Sequence, residues 1–186
     1  FLADPSGTIL DVIDEWISLT YNRPVNSTGG LELTLDGSYA NPSFLKLDGR
    51  IGVYRNGQLD TDTVWFIRRI VKTLDEEGRR IISVGAVSAN ELIRRRVVAY
   101  DEGTSYAVKS DFADDMMKEI IRENFGSSAS DVTRDLSDYL TVATDTSQGP
   151  TISKEFAWNN CLDVIQDISQ SSITAGSGVF FDVVAP

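Results

Sequence analysis

The pattern of apolar and polar positions predicts β-structure in the first part of the chain. Residues 31–35 alternate strictly between leucine and polar side chains, as a strand does when one face is buried. A longer apolar run at 63–73 meets the turn residues 75–78 and continues at 79–84, which predicts a long hairpin. Shorter β-branched or aromatic runs at 9–13, 16–21 and 51–54 predict further strands.

The long hairpin strand has no cleanly polar face under strict alternation. One face would carry Phe66 and Ile70, and the other would carry Trp65, Ile67 and Val71. Such a strand is usually covered on both sides, so we expect a second layer or a partner subunit against it.

Three helices are expected beyond residue 87. A short one follows Ser88, whose spacing to Glu91 is typical of a capping box. The best helix spans 111–125 and carries one apolar stripe, and a third runs from about Cys161 to Gln170 with Asn160 as its N-cap. The Ser-, Thr- and Asp-rich stretch 127–153 predicts a mobile connection with one short element near 136–142, and 179–184 predicts a closing strand.

Composition excludes several kinds of function. The 186 residues include no histidine and one cysteine, which removes His-based triads, His-ligated metals and internal disulfides. The 17 basic and 28 acidic residues give a net charge of −11, which argues against specific nucleic-acid binding and against an anionic membrane surface. No segment is long and apolar enough for a membrane span.

The acidic residues offer one candidate for chemistry. On a helix over 111–125, Asp111, Asp115 and Glu119 would share a face that could bind a hard cation or serve a carboxylate-based hydrolase. We favour a solvated face with Lys118 and Arg122 nearby, and we interpret Cys161 as an inert core residue. The sequence therefore predicts no catalytic residue, no cofactor site and no metal site.

The basic residues offer a candidate surface. Arg94, Arg95 and Arg96, with the arginines at 68, 69, 79 and 80, could grip phosphate or carboxylate, but pairing with acidic residues inside the chain or across a subunit contact is favoured. Together with the apolar hairpin face, this defines a candidate subunit interface. It comprises Trp65, Ile67, Arg69, Arg94, Arg95 and Arg96.

An alternative function is a β-rich module that binds carbohydrate or a receptor. It would need an exposed aromatic platform, for which Trp16, Trp65 and Trp158 are the indole candidates. Each lies on an apolar strand or at a helix boundary, so core packing is favoured for all three.

Several segments carry a family resemblance through their order and spacing. They are Leu92–Tyr100, Ser110–Met117, Ile121–Gly126, Trp158–Gln166 and Val179–Val184. Taken together, they resemble the tail hub proteins of long-tailed bacteriophages, specifically the siphovirus tail-protein family of the ReqiPepy6 type.

The resemblance implies an α+β fold: a β-rich, tail-tube-like domain with a long hairpin, a sandwich or barrel-like sheet, about three helices and an inserted segment. The expected regions are 1–107 (β-rich), 108–153 (helical and loop insertion) and 154–186 (helix and closing strand). It also implies a structural, non-enzymatic hub in the virion tail, assembled in the host cytoplasm as a trimeric ring. Its partners would be further copies of itself, a distal tail protein, the tape measure and a tip fibre. The acidic charge would suit a ring whose lumen passes DNA.

Overall fold

The structure is a computed structural model that describes residues 1–99 and 106–184. The fold is α+β and rich in strands, which confirms the predicted fold class. Of the described residues, 1–90 and 183–184 form one compact unit (unit 1), and 91–99 with 106–182 form another (unit 2). The strands are β1 (Leu2–Ala3), β2 (Ile9–Asp11), β3 (Ser18–Asn22), β4 (Gly30–Asp36), β5 (Arg50–Ile51), β6 (Tyr54–Arg55), β7 (Gln58–Leu59), β8 (Trp65–Leu74), β9 (Arg80–Ser88), β10 (Ala107–Phe112) and β11 (Thr151–Phe156). The helices are α1 (Glu91–Arg94), α2 (Ala113–Phe125) and α3 (Cys161–Thr174), with a 3₁₀ turn at Val132–Arg134.

An antiparallel seven-stranded sheet in the order β2-β1-β5-β8-β9-β4-β3 forms unit 1. Its two edge strands are consecutive in sequence, because β2 ends at Asp11 and β3 begins at Ser18. Seven Cα steps of about 3.6 Å reach about 25 Å, whereas six strand spacings of about 4.8 Å would separate the edges of a flat sheet by about 29 Å. The sheet therefore curls into half a barrel, which confirms the expected barrel-like sheet.

Alternating side chains of β4, β8 and β9 build the core of unit 1. Leu31, Leu33 and Leu35 are buried, as the strict alternation predicts, and Val84 on β9 packs into the same cluster. The predicted hairpin is confirmed, with β8 and β9 paired along their length.

A bulge explains why the hairpin strand lacked a polar face. The register of β8 against β9 shifts between Ile67 and Arg69, so one extra residue occupies β8 there. As a result Ile70 packs against the same core cluster as Trp65 and Ile67, instead of lying on the opposite face. The alternation predicted from the sequence therefore assigns Ile70 wrongly.

Unit 2 consists of the helices and the two-stranded β10–β11 ribbon. The apolar stripe of α2 is buried through Met116 and Ile120, and α3 buries Ile165 and Ile168. Asn160 caps α3 as predicted, since its side-chain oxygen accepts a hydrogen bond from Leu162 N at 3.0 Å. The predicted helix over 111–125 begins at Ala113, because the two residues before it complete β10.

Three expected elements are wrong. The stretch 127–153 has its 3₁₀ turn at Val132–Arg134 and gives its last residues to β11, with no helix or strand at 136–142. The strand expected at 51–54 breaks at Gly52, whose missing side chain leaves room for the Phe1 ring. Residues 179–184 belong to no strand of the described structure. The backbone of Val179 is bound by side chains of α3 instead: its carbonyl oxygen accepts from the Ser169 hydroxyl, and its N–H donates to the Ser172 hydroxyl.

The expected region boundaries at 107/108 and 153/154 stay a prediction. The two compact units divide after residue 90, so that the helix following Ser88 belongs to unit 2. Tyr100, which ends one of the segments that carry the resemblance, lies outside the described residues.

Candidate subunit interface

Two residues of the candidate interface lie inside unit 1. Trp65 and Ile67 are each only 1% exposed, and Tyr21 packs edge-to-face on the Trp65 ring at 5.6 Å between centroids. The expectation that they form a surface is wrong, because the curled sheet turns this face of β8 into the core. The exposed members of the set are Arg69, Arg94 and Arg95.

Arg69 forms an ion pair that crosses β9. Its guanidinium donates to both carboxylate oxygens of Glu32, at 2.9 and 3.0 Å, from β8 to β4. Gly85 of β9 lies between them in register, and a Cβ there would come within 3.2 Å of both partners. The glycine therefore permits the pair, which is solvated and worth about 1 kcal/mol or less.

The three consecutive arginines have different environments. Arg94 lies 3.5 Å from Glu91, and Arg95 is exposed. Arg96 donates to the carbonyl oxygens of Asn124 and Arg134 and lies over the Phe125 ring at 4.8 Å. Burial, together with the nearby charge of Arg134, lowers the pKa of Arg96. Arg96 thus places a cation at the C-terminal end of α2, where the helix dipole makes a positive charge favourable.

Asn124 joins this end of α2 to two other segments. It is fully buried, its amide donates to Ile120 O at 2.8 Å, and its side-chain oxygen accepts from Ala99 N at 2.9 Å and from Arg134 at 2.8 Å. Arg134 also donates to Val97 O at 2.7 Å. No spacing in the sequence marks this network, because its members are brought together only by the fold.

The acidic residues of α2 are not a solvated face. Asp111 belongs to β10, whereas Asp115 is buried and accepts hydrogen bonds from Thr146 N and Ser147 N, both at 3.1 Å, and from the Ser147 hydroxyl at 3.0 Å. Its neighbour Asp114 accepts from Gln148 N, the Thr146 hydroxyl and Lys118. The solvated-face interpretation is therefore wrong for Asp115, because these carboxylates bind the loop before β11.

The electrostatics of Asp114 follow from these bonds. Burial alone would raise the pKa of its carboxyl, but hydrogen bonds from Thr146, Lys118 and Gln148 outweigh that effect and hold the pKa well below its usual range. The ionised form is thus the one that binds the loop.

Two lysines face each other across the ribbon. Lys109 and Lys154 are in register on β10 and β11, where like charges would repel. Lys109 pairs with Glu119 at 2.8 Å and with Glu123, and Lys154 pairs with Asp167 of α3. Desolvation alone would lower the pKa of Lys109, but its two glutamate partners outweigh it and raise the pKa. Each strand is therefore attached to a different helix.

Unit 1 also exposes apolar side chains along a strap, residues 9–17, which comprises the edge strand β2 and its link to the other edge strand, β3. Its exposed side chains include Trp16, at 51%, and Ile17, at 57%. Asp11 accepts hydrogen bonds from the Tyr39 hydroxyl at 2.5 Å and from the Asn41 amide at 3.1 Å, which attaches the strap to the loop after β4. Desolvation and this carboxylate raise the pKa of Tyr39, so the hydroxyl stays a donor.

Comparison with models of known protein families identifies the family to which the chain belongs. The chain matches the family model described as Siphovirus ReqiPepy6 Gp37-like protein over residues 1–175. The chain belongs to this family. No curated protein matches it significantly.

The Siphovirus ReqiPepy6 Gp37-like family confirms the resemblance drawn from the ordered segments. Membership makes the chain a bacteriophage protein and supports a structural role as a component of the virion. No helix within the described residues has the length and apolar character to cross a membrane.

In this family member the described residues contain no group of three or more His, Cys, Asp or Glu side chains positioned to hold a metal ion. Cys161 is buried as expected, and burial raises the pKa of its thiol to about 12 even though Arg134 and Arg96 lower it in part. The expectation that all tryptophans are core residues is wrong for Trp16 and Trp158, of which the second is 57% exposed.

Proposed function

We propose that the chain is a hub protein of the phage tail tip, which assembles as a trimeric ring and joins the tail tube to the distal tip or fibre. The supporting observation is the curled sheet of unit 1, which presents open strand edges in a protein of a siphovirus family. Edges of this kind pair readily with further strands, as subunits of a ring require. The partners proposed are further copies of the chain, a distal tail protein, the tape measure and a tip fibre.

The distribution of charged residues along the chain supports a DNA-conducting channel through such a ring. Residues 91–182 carry 16 of the 28 acidic residues and 8 of the 17 basic ones, so most of the net charge of −11 lies there. A lumen lined by acidic side chains would repel DNA and let it pass without binding. A lumen that proved predominantly basic would contradict this part of the proposal.

We propose further that these residues carry no enzymatic activity. Two of the three carboxylates considered for a hydrolase are engaged structurally, because Asp115 binds backbone N–H groups and Glu119 binds Lys109. A variant with Asp115→Asn and Glu119→Gln should therefore lose stability without losing any catalytic turnover. A turnover that disappears in a variant that still folds would contradict this proposal.

A second candidate function is binding of carbohydrate or a receptor. One observation favours it: Trp158 exposes most of its side chain while its backbone has φ of +57°, a conformation unusual for a bulky residue. Exposed indole rings are suited to stacking on sugars. Titration of tryptophan fluorescence with cell-wall glycans, on the native chain and on Trp158→Ala, tests this function, because only a response lost in the variant would support it.

The hub proposal is tested by locating the protein on virions. Gold-conjugated antibody against the chain should label one site per particle, at the distal end of the tail. Gold along the whole tail, on the capsid or absent from intact virions would contradict the proposal.

A further inference from the structure

Part of β8 has no strand on its outer side. The short strand β5 pairs only with Trp65 and Phe66, and two further hydrogen bonds, Asp48 N to Ile67 O at 2.9 Å and Ile67 N to Gly49 O at 2.8 Å, continue the contact to Ile67. Beyond that point, no described strand lies against the side of β8 that faces away from β9.

Hydrogen bonds at the tip of the hairpin fix which residues face this open side. Asp75 donates its N–H to Arg79 O at 2.9 Å, and Gly37 donates to Arg80 O at 2.8 Å, so Arg80 faces β4 rather than β8. Backbone groups alternate in direction along an antiparallel ladder. Consequently the N–H and C=O groups of Ile70, Lys72 and Leu74 point away from β9.

The opposite edge of the sheet is β3. Its neighbour β4 alternates in the same way, so Ser18, Thr20 and Asn22 face β4, whereas the backbone groups of Leu19 and Tyr21 point outwards. The sheet therefore has two open edges of equal length: the five residues of β3, and residues 70–74 of β8. Neither segment contains proline.

We infer that the 70–74 edge of β8 pairs with β3 of a second copy of this chain, in an antiparallel head-to-tail contact. The occupant is a second copy because both edges belong to the same unit and have matching lengths. Their side chains also match, because Leu19 and Tyr21 of β3 and Ile70 of β8 all pack against the core of the sheet, so that pairing continues this apolar face from one copy into the next. A contact between two different surfaces of identical subunits closes into a ring when the rotation allows it.

This inference rests on the proposed hub function for its biological setting, but the pairing can fail while that function stands. The alternation permits two antiparallel registers, with Thr20 of one copy opposite either Thr73 or Val71 of the next. In both, the outward backbone groups of β3 meet those of β8.

Proline at position 72 tests the edge directly. The Lys72 N–H points away from β9, so Lys72→Pro removes an outward donor and blocks pairing without removing a hydrogen bond of the hairpin. Lys72→Ala is the matched control, because it removes the same charge and keeps the donor. By native mass spectrometry and sedimentation at micromolar concentration, we expect the native chain and Lys72→Ala to self-associate, and Lys72→Pro to bind itself at least about tenfold more weakly. A monomeric native chain, or equal association of Lys72→Pro, overturns the inference.

Disulfide cross-linking decides the matter if the proline variant does not fold. The chain's one cysteine, Cys161, is fully buried, so introduced thiols can be followed cleanly. Thr20→Cys combined with Thr73→Cys, and Thr20→Cys combined with Val71→Cys, cover the two registers. We expect one of these pairs to give a ladder of oxidised oligomers, and each single variant to give dimers at most. No ladder from either pair overturns the inference, whereas antibody labelling at the tail tip would still support the hub.

Discussion

Replacement of Asn124 by alanine removes the amide that joins α2 to two other segments of unit 2. Loss of its oxygen leaves the part-buried Ala99 N–H without its acceptor, at a cost of about 1–3 kcal/mol. Arg134 keeps Val97 O as an acceptor, so the loss of its hydrogen bond to Asn124 costs an amount near the low end of that range. With the small cavity that alanine leaves, the total is about 3–5 kcal/mol.

The assay is thermal and chemical denaturation followed by circular dichroism. For a chain of this size, a loss of this magnitude lowers Tm by about 10 °C. Gln170→Ala on α3 is the control, because it removes an exposed amide from the same unit and should change stability by about 0.5 kcal/mol at most. A loss below about 1 kcal/mol in Asn124→Ala, or an equal loss in the control, would contradict this role of the Asn124 side chain.

A second variant separates the oxygen from the amide nitrogen. Asn124→Asp keeps an acceptor for Ala99 N–H and adds an ion pair with Arg134, but it places an oxygen near Ile120 O, where the native amide donates. We expect it to be less destabilising than alanine. The opposite order would mean that packing, rather than the hydrogen bonds to the side-chain oxygen, explains the role of Asn124.

Three further variants or treatments test a buried carboxylate, a glycine beside an ion pair and a buried thiol. Because folding lowers the pKa of Asp114, the stabilisation by its carboxylate is complete above about pH 4 and is lost as the pH falls further. Asp114→Asn should therefore be less stable than the native chain at pH 7 and should flatten the acid limb of a curve of unfolding free energy against pH, and an unchanged limb would contradict this. Gly85→Ala should separate Arg69 from Glu32 and cost about 1 kcal/mol or less in urea unfolding, with an unchanged crystal-structure distance as the contrary result. Cys161 should react with a thiol reagent only upon unfolding, and rapid labelling of the native chain would contradict its burial.

The sequence predicts those elements whose side-chain pattern is repeated locally. Residues 31–35 alternate, and their leucines are buried as expected. The stripe through Met116 and Ile120, and the N-cap at Asn160, likewise suffice for the two long helices. In these cases the information lies within a few residues of the element itself.

The failures concern features that depend on distant residues. A single bulge after Ile67 changes which side chains of β8 reach the core, and no local signal marks it. Asp115 looks like a surface carboxylate in its helix, and only contacts with residues 31 and 32 positions later make it a buried acceptor. Closure of the curled sheet similarly decides that Trp65 is buried.

Cryo-electron microscopy of the distal end of the virion tail would show directly whether the chain is a tail hub. We expect three copies of this chain in one ring around a channel, between the tail tube and the tip or fibre. A chain that is absent from the virion, or that repeats along the whole tail tube, would contradict it.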